Sequence, residues 1–151
     1  MPKLLSGRLL GAVLAVLLCA PLSGCFMWNY GHFDPLARGD SFDESRKRFT
    51  RMIRWGQIER AGQYVVESER DAFFEAATVM RGVRFSDYEV LRVEVEDGFD
   101  TAIVEVMFRG YSLASSIERS VAVTQSWERG TEGSGWRVRP EIQVLSGAFI
   151  D

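Results

Sequence analysis

Hydrophobic side chains change their spacing twice along this chain, and each change marks a boundary. From Leu9 to Leu18 they form a continuous apolar run. Later, Phe49, Met52, Ile53 and Gly56 recur at helical spacing and form one stripe. Ser41-Phe42-Asp43-Glu44 stands ahead of that stripe as a capping box, in which the Ser41 hydroxyl accepts from the Glu44 amide while Glu44 reaches back. The pattern predicts a first helix that Gly56 ends or bends. Ile58 to Val65 reads as a second, short helix with Ala61 and Tyr64 inward. Ser68-Glu69-Arg70-Asp71 opens a third, with Phe73, Phe74, Ala77 and Met80 on its buried side. After Gly82 the period becomes two. Leu91, Val93 and Val95 alternate with Arg92, Glu94 and Glu96, a half-buried strand. Asp97-Gly98 supplies a turn. Ala102, Val104, Val106 and Phe108 line one face of a second strand, Thr101 to Tyr111, with Gly110 bending its end. Val121, Val123 and Trp127 line a third. Gly130 to Gly135 is a hairpin loop, and Trp136-Arg137-Val138-Arg139 forms a fourth strand that Pro140 stops.

Helices followed by an antiparallel meander of about four strands is an α+β layer order. Residues 42 to 143 resemble the nuclear-transport-factor-two-like family in that order. The same resemblance is carried by Arg54-Trp55-Gly56-Gln57-Ile58-Glu59-Arg60-Ala61 between helices, Tyr88 opening the sheet and Trp136-Arg137-Val138 closing it. It implies a cone, in which a curved sheet wraps one long helix and leaves a pocket at its open end. Tyr64, Tyr88, Tyr111 and Trp127 are then the candidate pocket residues. Isomerase members of the fold use a carboxylate base with hydroxyl or acid donors in an apolar pocket. Asp87 beside Tyr88 supplies those residue types, but strand neighbours point to opposite faces, so an extended segment cannot send both inward.

The apolar run near the start belongs to a different kind of element. Lys3 and Arg8 precede it as a basic n-region, and ten helical residues span about 15 Å, half of what a bilayer core requires. Leu22-Ser23-Gly24-Cys25 follows it and resembles the lipobox at which bacterial lipoprotein precursors are cut and lipidated. The resemblance implies a signal peptide over residues 1–24 and a diacylglyceryl (palmitate-bearing) anchor on the Cys25 thiol. A tether over 25–41, the domain over 42–145 and a tail over 146–151 complete the expected organisation. By the family's sorting rule, Phe26 rather than Asp after the lipidated cysteine directs the chain to the outer membrane, facing the periplasm. The tether is aromatic. Trp28, Tyr30 and Phe33 either sit at headgroup level or pack on the domain.

Charge and inventory narrow the chemistry. Loss of Lys3 and Arg8 leaves 16 basic against 21 acidic side chains in 127 residues, a net charge of −5 that argues against nucleic-acid binding. Cys19 leaves with the leader and Cys25 becomes the anchor, so the domain depends on its core rather than on disulfides. The one histidine, His32, lies in the tether, which excludes a histidine-based nucleophile system or a two-histidine zinc site in the domain. Glu94, Glu96, Asp97 and Asp100 lack calcium-loop spacing and read as a solvated turn. No cofactor, metal or catalytic residue is assigned. Arg48, Arg51 and Arg54 with Trp55 form the second candidate site, a cationic helix face for lipid headgroups or a protein partner, unless Trp55 is covered.

The expectation is therefore a membrane-anchored, non-catalytic module that binds a protein partner or a small apolar ligand. Its rival is a pocket isomerase or hydrolase with a buried carboxylate. The lipobox yields a direct test. Mass spectrometry of the mature N-terminus should find acylated Cys25, and Cys25→Ser should abolish the modification. A membrane-bound form that retains Met1 would refute processing at this site.

Overall fold

The computed structural model describes residues 38–96, 98–130 and 135–149. Helix α1 spans Arg38–Arg54, α2 Ile58–Ala61, α3 Arg70–Val79 and α4 Ile142–Gly147; single helical turns lie at Glu67–Glu69 and Met80–Gly82. Strands β1 (Val83–Val95), β2 (Thr101–Ser112), β3 (Glu118–Arg129) and β4 (Trp136–Pro140) form one antiparallel sheet in the order β1-β2-β3-β4. The α+β class and the four-stranded meander are as the periodicity predicts. Among the described residues, no helix is long and apolar enough to cross a membrane. Residues 1–37, with Cys25 and the lipobox, lie outside the described residues.

Helix α1 lies against one face of the sheet through Phe42, Arg46, Phe49, Thr50 and Ile53, a stripe at i, i+4, i+7, i+8 and i+11. Two of its five members are polar, which is why the sequence stripe began only at Phe49. The Arg46 guanidinium donates to Asp43 at 2.9 Å, and Lys47 donates to the same carboxylate at 3.1 Å. Burial raises the Asp43 carboxyl, but the hydrogen bonds from Arg46 and Lys47 outweigh it and hold the group below its ordinary value.

The capping box at Ser41 does not form. The helix already runs from Arg38, so Ser41 sits inside it. Its hydroxyl donates to the Arg38 carbonyl at 2.8 Å and accepts from Trp136 Nε1 at 3.2 Å. At the other end Gly56, at φ +66°, closes α1. Its amide bonds the Ile53 carbonyl, and the Gln57 amide bonds that of Met52.

The inner face of the sheet carries Ala102, Val104, Val106 and Phe108 from β2 and Val123, Gln125 and Trp127 from β3, all buried. Trp127 is their centre. Phe42 and Phe49 meet its ring edge-on, at centroid distances of 5.9 and 5.7 Å, and its indole donates to Gln125 Oε1 at 3.3 Å. Gln125 is 1% exposed and was not anticipated as a core residue.

Three expectations need correction. The expected buried face of Leu91, Val93 and Val95 does not form: Leu91 and Val93 are 44% and 38% exposed, and a register shift between Val90 and Arg92 bulges Leu91 out of the ladder. Phe74 is 36% exposed. Adjacent helical residues diverge by about 100°, and Phe73 takes the inward direction. Phe74 lies instead over Gly62, where a Cβ would come within 2.4 Å of its ring. Finally, the chain beyond residue 145 is part of the core. Ile142, Leu145, Ser146 and Phe149 are buried, and Phe149 meets Phe85 edge-on at 5.6 Å.

These packing positions predict a graded series. Trp127→Ala should cost about 3–5 kcal/mol and Phe74→Ala less than about 2 kcal/mol, read from urea midpoints. Equal costs would mean that Phe74 belongs to the core after all.

Candidate functional site

The four residues proposed for a cone pocket do not converge. Trp127 is fully buried, and Tyr64 and Tyr88 pack at the margins of the core on Phe49 and Phe108, at 6.4 and 6.1 Å between ring centres. Tyr111 pairs with Arg84 and Glu118 in the sheet, on the face opposite Phe108. Between α1 and the sheet, the hollow bounded by Phe49, Phe108, Val123 and Gln125 measures about 10 Å³, at most one water. Among the described residues, the side chains around Trp127 leave little open space at that point. Asp87 points away from Tyr88 and faces Arg109 at 3.6 Å.

The basic face of α1 is divided. Arg48 is bound to Glu44 one turn back, and that hydrogen bond, reinforced by Tyr64, raises its guanidinium above the ordinary value. Arg51 is exposed, with no ion pair among the described residues. Trp55 is 65% exposed, so the reading in which a neighbouring element covers it is not the one found. Arg54 lies over its ring at 4.4 Å from the centroid. The Arg54 guanidinium also donates to the Ser86 carbonyl. That acceptor is available because Ser86 has no partner on β2. The register shifts between Phe85 and Asp87, and the bulge turns one carbonyl out of the ladder toward α1.

Arg54 and Trp55 thereby form one wall of a cleft of about 550 Å³ between the end of α1, the end of α3 and the start of β1. Its apolar surface comes from Ile53, Ile58, Ala77, Met80, Val83 and Phe85. Arg81 and Arg84 add to the lining, and among the described residues no carboxylate contributes to it. Arg84 is steadied by hydrogen bonds to the carbonyls of Arg81 and Val83, at 3.2 and 2.9 Å. Gly110 lets the strands close up beside it, since a Cβ there would stand 2.7 Å from the Arg84 carbonyl. The volume is that of a small-molecule site.

Arg81 and Arg84 were not among the sequence candidates. Val83-Arg84-Phe85 does alternate, but so short a stretch does not distinguish a strand from a connection, and Arg81 lies ahead of it in a helical turn.

Another cleft, of about 450 Å³, is lined by Ser41, Ser45, Asp100, Arg129, Gly130, Gly135 and Trp136. The acidic residues of the β1–β2 turn go to separate partners. Arg92 binds Glu94, Thr101 donates to Glu96, and Asp100 faces Arg38 and Arg129 at 3.6 and 3.7 Å. Among the described residues, no group of carboxylates, histidines or cysteines is arranged to hold a metal ion.

No protein-family profile matches the chain. No curated protein matches it either. Its backbone is similar to the solution structure of a SEC-C motif containing protein from Rhodopseudomonas palustris, with a TM-score of 0.52 at 13% identity, over 76% of this chain and 90% of that one. The crystal structure of the intermembrane space region of chloroplast protein ARC6 aligns over 71% of this chain and 93% of that one, at 14% identity and a TM-score of 0.40. The first likeness concerns the fold alone, an α+β domain with helices on an antiparallel sheet.

The exposure of Trp55 sets the prediction for this site. Trp55→Ala should shift the unfolding free energy by no more than about 0.5–1 kcal/mol and should remove a tryptophan readily quenched by acrylamide. A loss of 3 kcal/mol or more, in the range of a core aromatic, would show that the ring is packed.

Proposed function

We propose that this chain is a lipoprotein of the outer membrane, held by acylated Cys25 and facing the periplasm. Its domain, read as a nuclear-transport-factor-two-like cone whose interior is filled, serves as a non-catalytic binding module. The observation that carries the binding reading is the cleft beside Trp55: apolar walls, three guanidinium groups and no acid in its lining. A carboxylate-based isomerase or hydrolase requires an acid withdrawn from water to raise its pKa. Among the described residues every Asp and Glu is at least partly exposed, which favours the module over the enzyme. The anchoring part of the proposal is supported by Leu22-Ser23-Gly24-Cys25 behind a short apolar run, and the outer-membrane destination by Phe26.

The two parts meet in one experiment in a double-membraned bacterium. The wild-type chain should band with outer-membrane fractions, resist extraction by salt and carbonate, and come off in detergent. It should become sensitive to protease only when the outer membrane is opened. Cys25→Ser should leave that fraction. A wild-type chain found with the inner membrane would overturn the destination, and a Cys25→Ser chain with unchanged sedimentation would overturn the anchor.

A further inference from the structure

We infer that the cleft between α1, α3 and β1 binds an amphiphilic anion, a carboxylate or phosphate head carried on a short alkyl chain. The inference rests on the binding-module reading and names its ligand class.

Two features of the cleft select that chemistry together. Arg54, Arg81 and Arg84 bring three permanent positive charges to a space that no carboxylate among the described residues lines, so a bound anion meets attraction there without a competing acid from them. Each guanidinium has five N–H donors, and the hydrogen bonds already made use only part of them. Arg54 gives to Ser86 and Arg84 to two carbonyls, while Arg81 has no partner among the described residues. Paired N–H donors match the oxygens of a carboxylate or phosphate. A purely inorganic anion would not need the rest of the site. Ile53, Met80 and Val83 are buried side chains that reach the cleft wall, and Ile58 and Phe85 add half-buried surface beside them. Each methylene withdrawn from water there adds to the affinity. Trp55, held beneath Arg54, closes one side with a flat amphipathic ring.

The test uses the full lipidated chain in nanodiscs of zwitterionic lipid, titrated by calorimetry with tryptophan emission as a second readout. Octanoate and octyl phosphate should bind saturably. Octanol and octylammonium should bind at least about tenfold more weakly, and ethyl phosphate and inorganic phosphate should fall behind octyl phosphate by at least the same factor. Arg81→Glu replaces an exposed side chain that has no partner among the described residues, and it should weaken octyl phosphate binding about tenfold while the circular dichroism spectrum stays unchanged. Arg51→Glu, outside the cleft, should leave the affinity within about twofold. Repeating the titration in phosphatidylglycerol nanodiscs separates two sources of the same chemistry. Competition by the disc identifies a lipid headgroup, and unaltered affinity identifies a free amphiphile. Equal binding of octylammonium, equal binding of inorganic phosphate, absence of saturable binding, or an unaffected Arg81→Glu chain would each overturn the inference. Membrane fractionation is independent of all these outcomes, so an outer-membrane protein that fails the titrations loses this ligand class and keeps its anchor.

Discussion

The structure depends on one aromatic contact, Trp127 held edge-on between Phe42 and Phe49. These two rings are seven residues apart on α1, so a single indole fixes both the height and the rotation of the helix on the sheet. Gln125 then finds its place, since the indole N–H that would be costly to bury unpaired meets its amide oxygen. Once the helix is set, Ser41 meets the indole of Trp136 at one end, and Arg54 reaches the β1 bulge at the other. The cleft is a consequence of the same placement: α1 ends at Arg54, and Met80, Val83 and Phe85 line the hollow beside its last turn.

Much of the fold was legible because most of its elements obey one simple period. The alternation in Ala102–Phe108 and Val121–Trp127 identified two strands and their inner faces, and the helical stripe placed Phe49 and Ile53 against them. The failures have local causes. A bulge at Leu91 breaks the parity of β1, and periodicity alone carries no sign of where an extra residue enters a ladder. Arg46 and Thr50 occupy core positions with polar side chains, which concealed the beginning of the α1 stripe. The final helix was missed because a six-residue element has too few turns for a period to emerge.

The candidate site was legible in half. Arg54 and Trp55 stood out in the sequence as a cation and a large ring away from the apolar stripe, and the structure places them together on the surface. On the rest of the basic helix, Glu44 pairs with Arg48 and Asp43 with Arg46 and Lys47, while Arg51 stays exposed. Tyrosines chosen as pocket residues from a fold resemblance were dispersed for a plain reason. Tyr111 has the opposite strand parity from Phe108, and the interior they were meant to enter is filled by Trp127 and its neighbours. Arg81 and Arg84 belong to the site through a helix-to-strand junction, where neither period applies.

The edges of the sheet have a consequence for how copies of this domain can coexist. Beside β4, the segment at Tyr64–Val66 makes a short parallel bridge, with the Val138 amide bonded to the Tyr64 carbonyl and the Val66 amide to that of Val138. The opposite edge, β1, is interrupted by two bulges and studded with Arg92, Glu94, Asp87 and Glu89. Neither margin offers a long, flat row of unpaired amides and carbonyls. Domains crowded side by side therefore lack a template for strand exchange along these margins, and high local density can be reached without seeding intermolecular sheet growth there.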